Sequence, residues 1–101
     1  MTQLTAIAQD MRTLVGQQPG WAQQTLPRGL RIIYQRHDDG RVRLACARED
    51  AYPSDTEIDL VRQAFHVPPS ADAERGEHPW LHPKTKRPVT FYRVQFQWME
   101  R

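Results

Sequence analysis

A single cysteine, Cys46, in 101 residues leaves no intramolecular disulfide, so the fold must rest on packing in a compartment where thiols stay reduced. No apolar run approaches the ~18 residues of a membrane-spanning helix. The N-terminal segment also breaks its apolar positions with Gln3, Gln9, Asp10 and Arg12, unlike the continuous apolar stretch of a secretory signal. These absences point to the cytoplasm and exclude a membrane partner. Lysine is scarce, with only Lys84 and Lys86 among 14 basic residues, and the net charge is only +2. That balance by itself names no polyanionic partner. Also missing are a Gly-rich phosphate loop, a nucleophile elbow and a Cys-X-X-Cys pair. The chain is therefore read as non-catalytic and free of cofactor. At this length one modest core is affordable, which makes residues 1–101 a single domain.

What is present is a sequence of short periodic segments. Leu4, Ile7, Met11, Leu14 and Val15 fall on one helical stripe, which predicts a helix over 3–15 stopped by Gly16. A loop follows as far as Gly29, with Trp21 and Leu26 packing back on the core. Residues 30–48 form a hairpin around Asp38-Asp39-Gly40. A two-residue turn would mix apolar and charged groups on both faces, whereas a three-residue loop with Gly40 left-handed sets Tyr34 opposite Leu44 and Ile32 opposite Cys46. Leu30, Ile32, Tyr34, Val42, Leu44 and Cys46 then share one face. Arg31, Ile33, Gln35, His37, Arg41, Arg43, Ala45 and Ala47 share the other.

Ser54-Asp55-Thr56-Glu57 has the form of a capping box and opens a second helix over 55–67, ended by Pro68 and Pro69. Residues 68–88 show no periodicity and read as a long loop. Residues 89–99 alternate as a strand, with Tyr92, Val94, Phe96 and Trp98 on one face and Phe91, Arg93, Gln95 and Gln97 on the other. The resulting fold class is α+β, in the order α-β-β-α-β. A small three-stranded antiparallel sheet carries both helices on one face, and the last strand lies beside the first. The C-terminal strand then forms an edge that could pair with a second copy, giving a homodimer.

Metal chemistry is poorly served. His66, His78, His82 and Cys46 are zinc-ligand types, but Pro79 and Pro83 interrupt the histidine pair and Cys46 belongs to the core face. Glu49, Asp50, Asp55, Glu57 and Asp59 could suit magnesium, yet helix capping already accounts for three of them. Two binding surfaces remain. The first is the 68–88 segment, whose Trp80, Leu81, His78, His82, Lys84, Lys86 and Arg87 form a proline-braced aromatic and basic loop. It is expected to engage another protein, as an adaptor or inhibitor would, with Trp80 as anchor. The alternative is the open sheet face, where Arg31, Arg41, Arg43, Phe91, Arg93 and Gln95 would contact single-stranded DNA or RNA.

Overall fold

The computed structural model describes residues 2–16, 20–26, 28–49 and 51–99. In chain order the elements are α1 (Thr2–Gly16), β1 (Gly20–Thr25), β2 (Arg31–Arg36), β3 (Arg41–Glu49), α2 (Asp55–Ala64), β4 (Glu74–Leu81) and β5 (Pro88–Met99). The strands form one antiparallel five-stranded sheet in the order β1-β2-β3-β5-β4. The class remains α+β, but the three-stranded sheet is overturned, because β1 and β4 lie in segments expected to be loops. Both are the outermost strands of the sheet. An edge strand pairs on one side only, and β4 is exposed along most of its length, so neither needs the apolar alternation by which buried strands reveal themselves. Pro79 fits at the edge, where no partner requires its missing amide hydrogen.

The strand order is corrected as well. With 68–88 taken as a loop, one helical crossover from β3 must return a strand parallel to β3, and such a strand pairs antiparallel only with β2. Strand β4 takes that return instead. The chain then reverses in a hairpin, so β5 runs antiparallel to β3 and pairs with it, Leu44 opposite Phe96 and Cys46 opposite Val94. Because β5 is flanked by β3 and β4, it is not an edge, and the strand expected to pair with a second copy is already occupied on both sides.

The β2–β3 hairpin follows the three-residue-loop register. Tyr34 lies opposite Leu44 and Ile32 opposite Cys46. The His37 amide donates to the Arg41 carbonyl at 2.9 Å, and Gly40 is left-handed at φ 91°. Ile32, Tyr34, Val42, Leu44 and Cys46 therefore reach one face. There Ile32, Tyr34, Leu44, Val94 and Phe96 meet Leu4, Ile7 and Met11 of α1 and Ile58, Val61 and Phe65 from α2 and its C-terminal end. Phe65 stacks on Tyr34 at 5.4 Å. Trp98, expected at the centre, is only partly buried at the margin of this core. Leu26 packs partly against it, whereas the packing expected of Leu14, Val15 and Trp21 lies outside the described residues.

Helix α2 begins as its sequence dictates. The Glu57 amide donates to Ser54 Oγ at 3.2 Å, and Glu57 Oε1 accepts from the Ser54 amide at 3.0 Å. The helix ends at Ala64, three residues short of the expected 67, because His66 turns left-handed at φ 55°. The Val67 amide reaches back to the Arg62 carbonyl and the His66 amide to that of Gln63. This is the paired bonding of a Schellman stop, made here by a histidine where a glycine would have been the readable signal.

Candidate functional site

Both helices lie on one side of the sheet, so among the described residues no element covers the opposite, outer face. Its composition follows from register: odd-numbered residues of β2, β3 and β5 face outward, and cross-strand partners share a face. One row sets Gln35 beside Arg43 and Gln97, a second sets Ile33 beside Ala45 and Gln95, and a third sets Arg31 beside Ala47 and Arg93. The third row continues into β4 at Gly76. The two alanines are the smallest side chains at the centre, and they decide the shape of the face. They leave a trough along β3 that longer neighbours close over, so Ala45, Ala47 and Gln95 are buried even though no helix covers them.

Arg31 reaches across that trough. Its guanidinium carbon lies 4.4 Å from the centre of the Phe91 ring, two strands away from its own, a crossing that a bulkier residue at 47 would block. Phe91 is thereby buried to 8% exposure, where the sequence placed it open to solvent. The same geometry leaves the Nε of Arg31 buried without a hydrogen-bond partner. Arg43 is held differently, donating from Nε to Gln95 Oε1 at 2.8 Å. Among the described residues, no carboxylate lies within salt-bridge distance of Arg31, Arg43 or Arg93. Glu49 and Glu74 share the face only at its margins. Arg41 sits at the far end and is paired with Asp39 at 3.0 Å, whose carboxyl is held below its usual range by the Arg41 backbone amide. Between them, Gln35, His37, Arg41, Arg43, Arg93 and Gln97 line a shallow recess of about 420 Å³.

The residues assigned to the long loop are divided by the structure. Strand alternation sends Trp80 and His78 to the outer face, since they pair with Val89 and Phe91, and sends Leu81 to the other. Trp80 is half-buried, with its ring 5.7 Å from Phe91 and 5.4 Å from His82. Arg31, Phe91, Trp80 and His82 therefore form a run of neighbouring planar groups from the centre of the sheet to its edge. His82 opens the β4–β5 turn, where its Nδ1 accepts from the amides of Lys84 and Thr85 at 3.2 and 3.3 Å. Lys84, Lys86 and Arg87 are exposed on this turn, with Lys86 left-handed at φ 58°.

The remaining candidates disperse. Cys46 is fully buried in the core, where desolvation pushes its thiol up to about 12, so it behaves as a small apolar residue. Glu57 is committed to the cap and to Arg48, which donates to it from Nε at 2.9 Å. That bond, with the amide of Ser54, holds its carboxyl below the usual glutamate range. Asp50 lies outside the described residues. Among the described residues no three His, Cys, Asp or Glu side chains gather into a metal-holding group, and no helix is long and apolar enough to cross a membrane. Sequence reasoning overlooked the roles of Ala45 and Ala47. The signal was there, since two alanines between arginines on an outward-facing strand lower that surface for their neighbours. Compared with known proteins, the chain matches no family model, no curated protein and no solved structure.

Proposed function

We propose that the outer face binds single-stranded nucleic acid. The observation that carries this is the coincidence, on one uncovered face, of Arg31, Arg43 and Arg93 without carboxylate partners and of an aromatic run ending at the half-buried Trp80. Guanidinium groups left without counter-charge suit phosphates, and an aromatic face beside them suits an unstacked base. The rows of Arg43 and Arg31 lie about four residues apart along β3, or roughly 13 Å at about 3.3 Å per residue, a span that accommodates a short stretch of strand. Gln35 and Gln97 add amides able to donate to and accept from base edges. A single strand is favoured over a duplex because both helices are committed to the opposite side, leaving none to enter a major groove. Trp80 is counted with this surface because strand pairing turns it to the outer face, whereas Leu81 faces the other way.

Fluorescence anisotropy with labelled single-stranded oligonucleotides tests the proposal. Association is expected at low salt, falling with a log-log slope of about −2 to −3, which corresponds to three or four phosphates at ~0.7 each. Trp80→Ala should weaken binding by about 1 to 3 kcal/mol, the range for loss of one stacking platform, with little change in slope. Absence of association at low salt, where electrostatic binding is strongest, overturns the proposal.

A further inference from the structure

The outer face ends in a second recess, of about 360 Å³, at the corner where the β1–β2 turn meets the end of β3. Thr25, Arg28, Gly29, Arg31, Glu49 and Phe91 line it, together with Arg48. The turn is closed by the Leu26 amide donating to the Leu30 carbonyl at 2.8 Å and by Gly29 at φ 86°. This folds Arg28 back toward the sheet, where its carbonyl accepts from Arg48 Nη1 at 2.6 Å. The Arg48 guanidinium is spent on that bond and on Glu57. Neither Arg28 nor Arg31 has a carboxylate partner among the described residues, and Arg31 is held in place over the Phe91 ring. The guanidinium groups of Arg28 and Arg31 and the hydroxyl of Thr25 make a set of donors suited to an anion.

We infer that this recess receives a terminal phosphate monoester, the end group of the strand bound on the outer face. The inference rests on the nucleic-acid reading of that face and adds which part of the strand sits where. A terminal monoester carries about −1.5 to −2 charges at neutral pH, against one for an internal diester, and so matches two unpaired arginines. Glu49, on the last residue of β3, lines the same recess. Its single negative charge is outnumbered in the recess by the guanidinium groups of Arg28 and Arg31, which leaves the recess net positive. The Phe91 ring under Arg31 forms the adjoining wall, so the terminal nucleotide lies beside the aromatic run.

The experiment uses one oligonucleotide in three forms, unphosphorylated, 5′-phosphorylated and 3′-phosphorylated, each labelled at a fixed internal position and titrated against the full chain. One phosphorylated form is expected to bind about tenfold more tightly than the unphosphorylated strand, and which one it is reports the strand's direction. The advantage should shrink as pH falls through about 6, where the monoester takes up its second proton. Arg28→Ala should abolish the advantage while leaving affinity for the unphosphorylated form unchanged, since Arg28 is an exposed turn residue outside the rows that carry the strand. Equal affinity of all three forms overturns the inference and leaves the reading of the face intact. If no form binds, that reading fails, and calorimetry with adenosine 5′- and 3′-monophosphate decides the recess separately. Binding abolished by Arg28→Ala sustains a phosphate site, and no heat with either nucleotide ends it.

Discussion

The two sides of the sheet treat most of their arginines differently, with Arg41 at the outer margin paired to Asp39. On the helix side Arg48 is bound to Glu57 and to the Arg28 carbonyl. Arg62 reaches the Ala71 carbonyl at 3.4 Å and lies over Phe96 at 4.8 Å. Arg75 pairs with Asp55 at 3.8 Å and approaches Tyr52 at 5.4 Å. Each has a partner supplied by the fold. On the outer side Arg31, Arg43 and Arg93 are arranged on a ring, an amide and a trough of alanines, and none of them meets a carboxylate among the described residues. The difference teaches where stability and binding reside. Charge that is matched within the chain contributes to the fold, whereas charge that is positioned but unmatched is available to an outside anion.

Truncation in the core gives the largest effect and marks the stability end of this contrast. Phe96 is fully buried at the centre of the helix side, so Phe96→Ala should cost about 3 to 5 kcal/mol, a large share of the 5 to 15 kcal/mol typical of a small domain. A denaturant titration checks it, and a nearly unchanged midpoint would show that the sheet's parity is wrong.

Next comes Arg48. Both it and Glu57 keep about a quarter of their side-chain surface exposed, so Arg48→Ala should cost about 1 to 2 kcal/mol, toward the low end of the range for hydrogen bonds to charged groups. The pair also sets a pH dependence. Glu57 is held below its unfolded value in the folded chain, chiefly by the hydrogen bond from Arg48. The stability it contributes is therefore present above the ordinary glutamate value of about 4.3 and lost as pH falls below it. Thermal melts between pH 7 and 3 should show that loss, and show less of it in Arg48→Ala.

Arg93 lies at the other end of the comparison. With no partner among the described residues, Arg93→Ala should change stability by no more than about 0.5 kcal/mol, as for an ordinary surface position, while lowering the salt slope of binding by about 0.7. A melting curve and a salt series on the same preparation separate the two effects.

Sequence reading succeeded where a residue's local chemistry settled its conformation. The capping box at Ser54 and Glu57, the left-handed Gly40 and the parity of Phe96 and Val94 each follow from a pattern within a few positions. It failed where conformation was settled by pairing at a distance. Gly20–Thr25 and Glu74–Leu81 are strands because β2 and β5 offer them an open edge, and nothing in Gln23-Gln24 or in Gly76-Glu77-His78-Pro79 announces that. The same failure hid much of the site. Arg31, Arg43, Arg93 and Gln95 were found on the outer face from alternation alone. That Trp80 joins them, that Leu81 does not, and that Arg31 lies across Ala47 onto Phe91 all depend on where β4 and β5 pair.

The most direct test of the contrast between the two sides is a pair of charge reversals read as salt slopes. Arg43→Glu alters the outer face and Arg12→Glu alters α1 on the helix side, with the same change in net charge. Anisotropy with a single-stranded oligonucleotide across a series of salt concentrations should give a weakened affinity and a shallower slope for Arg43→Glu, and values close to the unaltered chain for Arg12→Glu. Equal losses from the two would show that binding answers only to total charge, and the outer face would then have no special part in it.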